Sequence, residues 1–262
     1  MILDELASYA RERVEMNKQN ISLEEMIKKA RALPVGEFAF ENALADQIPA
    51  VICEVKKASP SKGIISKEFS YIDIAKEYER IGATCISVLT EPKWFLGSDE
   101  IFREIREVVT LPMIRKDFTV DEYQIYEAKV MGADAILLIC ALLDTDTVKR
   151  YLKICDSLGM TALVETHNFD EIQSAIEAGA RVLGVNNRNL KDFTVNLDHA
   201  SNLKAFVPEG IIFVAESGIV TVEDGQKLLH NGADALLIGE ALMRSDNKQL
   251  FIKEIKENEG KY

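Results

Sequence analysis

The chain has 262 residues, 47% apolar and 28% charged, which suits a folded protein with room for one large α/β barrel or two small domains. A formal net charge of −12 argues against nucleic acid or an anionic membrane surface as a partner. No signal peptide is read and no apolar run reaches about 18 residues, so a cytoplasmic enzyme or binding protein is expected.

Residues 1–33 read as helix with a break near 17–21. Ser22-Leu23-Glu24-Glu25 has the form of a capping box for the second piece, which Pro34 closes. A short amphipathic segment follows at 38–44. Residues 1–45 are therefore expected as a helical extension over the mouth of the fold that 49–262 builds.

Strand-like runs then begin near Val51, Thr84, Leu111, Ala135, Thr161, Val182, Ile211 and Ala235. From 51 to 235 there are seven steps, roughly 26 residues each, the size of one βα unit. Helical patterns fill the intervals, among them 99–109, 121–131, 145–158 and 222–230. Gly82-Ala83, Gly132-Ala133, Gly179-Ala180 and Gly232-Ala233 recur where helix returns to strand, and each Gly can end a helix in the left-handed conformation. Runs such as Ile136-Leu137-Leu138-Ile139 are apolar throughout, as in a parallel sheet buried on both faces. Eight even βα units predict a single (β/α)8 TIM barrel over a doubly wound sheet.

In such a barrel the active site lies at the C-terminal ends of the strands. Those ends carry Glu54 and Lys56 on the first strand, Lys116 on the third and Glu165 on the fifth. Asn186 and Arg188 end the sixth, Glu216 and Ser217 the seventh. In a strand, residues i and i+2 share a face, so Ile52, Glu54 and Lys56 point together. Taken singly, Glu54 and Lys56 read equally as a structural ion pair; the clustering at one end favours a polar cavity. Gly218 and Gly239 follow the last two strands, either as tight turns or as bare backbone for a phosphate. Ser59-Pro60-Ser61-Lys62-Gly63 is a donor-rich loop at the same rim. Phe95 either packs the rim or stacks on a flat ring. His167 reads as a cap or loop residue before a proton shuttle, and His199 and His230 as surface residues. Cys53, Cys85, Cys140 and Cys155 have no zinc or CxxC spacing and read as core thiols of a reducing compartment; no metal site is indicated.

These strand ends carry a resemblance to the indole-3-glycerol-phosphate synthase family of tryptophan biosynthesis. It rests on Glu54-Val55-Lys56-Lys57-Ala58-Ser59-Pro60-Ser61, on Ser87-Val88-Leu89-Thr90-Glu91 with Phe95 and Gly97, and on Leu111-Pro112 with Lys116-Asp117-Phe118. It continues in Leu163-Val164-Glu165, Gly184-Val185-Asn186-Asn187-Arg188-Asn189-Leu190, Ala215-Glu216-Ser217-Gly218-Ile219 and Leu237-Ile238-Gly239. The resemblance implies a carboxy-lyase that closes an indole ring on 1-(o-carboxyphenylamino)-1-deoxyribulose 5-phosphate, with loss of CO2 and water and with no cofactor. It implies Lys116 as principal acid, Glu165 as base and Lys56 on the anthranilate carboxylate, with Glu54, Glu216, Asn186 and Ser217 as supporting groups. Arg188, Phe95, Leu137, Ser59 and Leu237 are then substrate contacts, and Gly218, Gly239 and Glu240 hold the phosphate. Glu240 stands where some members carry a small hydroxyl residue, so its side chain is a weak candidate. The implied partners are a small phosphorylated substrate and other tryptophan-pathway enzymes. Crowded lysines are expected to have lowered pKa values. An isomerase of the same pathway would instead need a cysteine–aspartate pair where Glu54-Val55-Lys56 stands. A non-catalytic phosphate-binding barrel would not need so many ionisable strand ends.

Overall fold

The computed structural model describes residues 2–189 and 192–257. Leu190 of the sixth-strand motif and the last five residues of the expected barrel span lie outside them. Eight parallel strands are present: β1 (Ala50–Val55), β2 (Cys85–Leu89), β3 (Met113–Lys116), β4 (Ala135–Ile139), β5 (Thr161–Thr166), β6 (Val182–Asn186), β7 (Ile212–Glu216) and β8 (Ala235–Ile238). They close in the order β1-β8-β7-β6-β5-β4-β3-β2, with Cys53 opposite Ile238 and Glu54 opposite Ser87 at the two flanks of β1. The chain is thus a (β/α)8 TIM barrel. Its helices are α1 (Ile2–Asn20), α2 (Leu23–Arg31), α3 (Ala39–Asp46), α4 (Tyr71–Arg80), α5 (Asp99–Arg106), α6 (Tyr123–Val130), α7 (Thr145–Leu158), α8 (Phe169–Ala178), α9 (Asp198–Lys204), α10 (Val222–His230), α11 (Glu240–Arg244) and α12 (Lys248–Glu257).

Local chemistry explains the helix ends. Asp144 accepts from the Thr147 N–H to start α7, and Gly159, at φ 66°, ends it. Thr221 and Asp224 form a full capping box at α10. Ser22 makes only half of one: its hydroxyl accepts from the Glu25 N–H. The recurrent Gly-Ala-Asp has a further reason at its third residue. Asp134 and Asp234 accept from the N–H groups of Met113 and Phe213, which begin the neighbouring strand or lie one residue inside it.

Strand parity divides the apolar core in two. Val51, Cys53 and Val55 face outward to the helices, together with Val88, Leu138, Val164 and Ala215. Ile52, Ile114, Leu137, Leu163, Val214 and Leu237 fill the barrel axis. One step further along the same inward parity lie Glu54, Lys116, Glu165 and Glu216, so the axis is apolar below and ionisable above.

The extension does not lie over the mouth as a whole. Phe40 and Leu44 of α3 are fully buried among the axial residues Ala50, Cys85 and Val182, so α3 plugs the opposite end. An eight-stranded barrel leaves an apolar floor at the strand N-termini, and a helix with two large apolar residues seals it. Helix α2 packs along the flank against α6. Only α1 reaches the mouth. Arg13 makes a two-pronged bond to Asp117 (3.0 and 2.6 Å), Lys18 pairs with Asp121 at 2.8 Å, and Tyr9 meets the Trp94 ring edge-on at 5.7 Å.

Candidate active site

A cavity of about 860 Å³ occupies the C-terminal mouth, within the range of small-molecule sites. All fifteen residues expected at the site line it: Glu54, Lys56, Ser59, Phe95, Lys116, Leu137, Glu165, Asn186, Arg188, Glu216, Ser217, Gly218, Leu237, Gly239 and Glu240. Sequence reasoning missed the lid residues Ile2, Leu3 and Leu6, the aromatic Phe118, and Arg244. The expectation of an extension over the mouth does not single out which of its residues face the cavity.

Lys116 ends β3 with its ammonium 3.3 Å from Glu165 and 3.3 Å from Glu216. Burial pushes the ammonium pKa down, but Glu216, Glu165 and Glu54 outweigh it and hold it above its usual value. The expected lowering fails because carboxylates, not a second lysine, are its nearest neighbours. One cation between two carboxylates leaves a negative charge in excess, and the two acids respond oppositely. Glu165 is held far below the usual range: burial raises it, but Lys116, His167 and a hydrogen bond from Asn186 (3.1 Å) prevail. Glu216 is pushed up by burial to about 7, Lys116 opposing and the like charge of Glu165 adding. That direction fits the geometry, since Glu216 Oε1 is buried without a hydrogen-bond partner.

Across the floor, Lys56 hydrogen-bonds to Glu54, whose other oxygen accepts from the Ser87 hydroxyl at 3.4 Å. Phe95 is presented by a loop ordered through Glu91, whose buried carboxylate accepts from the N–H groups of Lys93, Trp94 and Phe95 at 2.7–3.0 Å. Phe95 and Phe118 lie 6.1 Å apart and form an apolar wall. On another side, Ser217 and Gly218 follow β7 in the left-handed region, at φ 63° and 84°. The Arg188 N–H donates to Asn186 Oδ1, and its guanidinium is steadied on the Phe193 carbonyl (3.2 Å). The Glu240 carboxylate is engaged by Arg244 at 3.1 Å and lies 3.9 Å from Lys62. Ser59 belongs to a small hairpin, Ala58–Ser59 with Gly63–Ile64.

An ammonium clasped by carboxylates beneath an apolar wall and a cationic rim is a site for acid–base chemistry on an aromatic anion. The family model described as indole-3-glycerol phosphate synthase matches residues 3–255. The chain belongs to that family. A relative of that name from Ruminiclostridium cellulolyticum is 55% identical over 246 residues, 94% of this chain and 95% of its own. Others of the same name come from Endomicrobium trichonymphae (48% identical, 98% of this chain and 100% of its own) and Lachnoclostridium phytofermentans (44%, 98% and 99%). A solved thiamine phosphate pyrophosphorylase from Pyrococcus furiosus, 18% identical with a TM-score of 0.58, covers 79% of this chain and 93% of its own and shows the shared fold alone. The aromatic wall and the bracketed lysine share one cavity.

Proposed function

We infer that the chain closes the indole ring of 1-(o-carboxyphenylamino)-1-deoxyribulose 5-phosphate, releasing CO2 and water, as a carboxy-lyase of tryptophan biosynthesis. The observation that carries this is Lys116, bracketed by Glu165 and Glu216 at the floor of a cavity walled by Phe95, Phe118, Leu137 and Leu237. Lys116 protonates the ketone oxygen as the ring carbon attacks, and a second proton carries the hydroxyl away as water. Glu165 takes the last carbon-bound proton. A carboxylate leaves as neutral CO2, so each turnover consumes one proton net. Lys56, held by Glu54, receives the substrate carboxylate; Asn186 and Ser217 orient the sugar.

The phosphate lies at the rim formed by Ser59, Gly218, Gly239, Glu240 and Arg188. Glu240 contributes there through its backbone, because a carboxylate repels the anion. The cations Lys62 and Arg244 around it offset the protein's acidic excess locally. The same reading puts the chain in the cytoplasm beside other tryptophan-pathway enzymes; among the described residues no helix is long and apolar enough to cross a membrane.

Incubation with the anilino-deoxyribulose phosphate should generate indole fluorescence. Lys116→Met should lower kcat by about 10²–10⁴. Wild-type turnover in that variant would remove Lys116 from the chemistry. The described residues place no group of His, Cys, Asp and Glu to hold a metal, and chelation should leave the rate unchanged.

A further inference from the structure

We propose that His167 is a positioning residue for Glu165: a fixed cation that holds the carboxylate from the side opposite Lys116, so that the base keeps a partner when Lys116 gives its proton away. The proposal rests on the reading of Glu165 as the base.

His167 directly follows β5, and its imidazole is bracketed by two carboxylates. Nε2 lies 3.2 Å from Glu165 Oε1, and Nδ1 lies 3.1 Å from Glu171 Oε2. Nε2 is buried without a well-aligned hydrogen bond, so its attraction to Glu165 is one of charge. The ring is locked by its surroundings. The His167 N–H donates to Glu171 Oε2 (2.8 Å), Asn168 Nδ2 donates to Glu171 Oε1 (2.7 Å), and His199 Nε2 of α9 donates to the His167 carbonyl (2.8 Å). A residue serving only to cap α8 would not need its ring aimed into the barrel, since Asn168 already supplies the cap.

The chemistry needs such a partner. Lys116 passes through its neutral form in each turnover, and at that moment Glu165 and Glu216 are buried together without that ammonium. A buried carboxylate in that position takes up a proton and stops being a base. His167 supplies a second cation that the reaction does not consume. Glu171 from α8 keeps it protonated: burial opposes, but the two carboxylates raise it to about 10. The other titratable groups packed about it do not compete. Cys140, after β4, is pushed up by burial to about 12 and stays neutral, His199 from α9 donates to the His167 carbonyl, and Lys116 pairs with Glu165 and Glu216.

The test is the pH profile of kcat/KM for two variants. His167→Asn keeps a donor but removes the charge; the acid limb should move up by about 1–3 pH units relative to wild type, as for loss of one adjacent opposite charge. Activity should recover at higher pH, with KM changed less than kcat. Glu171→Gln leaves His167 but removes the anion that keeps it protonated, so the acid limb should move in the same direction, by less than in His167→Asn. A merely structural role would lower both profiles evenly at every pH, and that result overturns the proposal. If His167→Asn does not fold, Glu171→Gln decides alone. Glu165→Gln separates the two readings. Full activity there removes the base and this proposal with it; an inactive Glu165→Gln beside parallel profiles removes only the role of His167.

Discussion

Gly239 constrains the floor of the site more tightly than its expected role at the phosphate. A Cβ there would lie 2.5 Å from Glu54 Oε1 and 2.8 Å from Lys56 Nζ, so the bare position makes room for the ion pair. Gly184 does the same for the other acid, where a Cβ would lie 2.1 Å from Glu216 Oε1. Gly218 has its own packing reason, since a Cβ would strike Val195, and its φ of 84° disfavours any side chain. Gly239→Ala is therefore expected to lower kcat by about 10- to 100-fold through displacement of Lys56, and not to raise KM alone. A change confined to KM in steady-state kinetics would show that Gly239 acts on the phosphate alone. Inorganic phosphate should inhibit competitively in either case.

At the scale of elements, the extension divides by function. Helix α3 belongs to the barrel core, whereas α1 and α2 are laid on its outside. Phe40 is fully buried among axial residues, and Phe40→Ala should cost about 3–5 kcal/mol in denaturant unfolding. A loss below 1 kcal/mol would mean the floor closes without α3. Deleting residues 1–33 should leave a folded barrel with raised KM, because Leu3 and Leu6 then no longer cover the cavity. Deleting 1–46 should abolish folding by circular dichroism. The join between the two parts is close: Gly36 N–H donates to the Leu158 carbonyl, and a Cβ on Gly36 would lie 2.4 Å from the Gly159 carbonyl oxygen.

For the molecule as a whole, the buried charges set how stability depends on pH. His167 has a folded pKa raised to about 10 from an ordinary value near 6.5. The folded state then holds the proton more tightly, so this contribution is complete below about pH 6.5 and is lost as pH rises towards 10. Asp117, held low by Arg13 and Arg115 against its burial, works the other way: its contribution is lost as pH falls below the usual carboxylate range. His167→Asn should thus melt below wild type at pH 6 and converge with it near pH 10. Equal separation at both pH values would show that His167 is not charged in the folded state.

The barrel and its ionisable end were legible along the chain because both are local or periodic properties. The β period of two puts Ile52, Glu54 and Lys56 on one face; the recurring Gly-Ala marks four of the returns to strand; closure follows from eight even units. Family motifs at the strand ends named the residues, because each motif is a short contiguous run. What the chain does not state is which end of the barrel a helix covers. Helices α1 and α3 belong to one extension, yet one lies at the mouth and the other plugs the floor. Nor does it state the charge balance around Lys116, which depends on Glu165 and Glu216 arriving from strands 49 and 100 residues further on. Glu91, Phe118 and the bracketing of His167 by Glu165 and Glu171 were equally hidden. Periodicity fixes which way a side chain points; only closure of the sheet decides which charges it meets, and Coulomb interactions in a dry cavity depend on that distance.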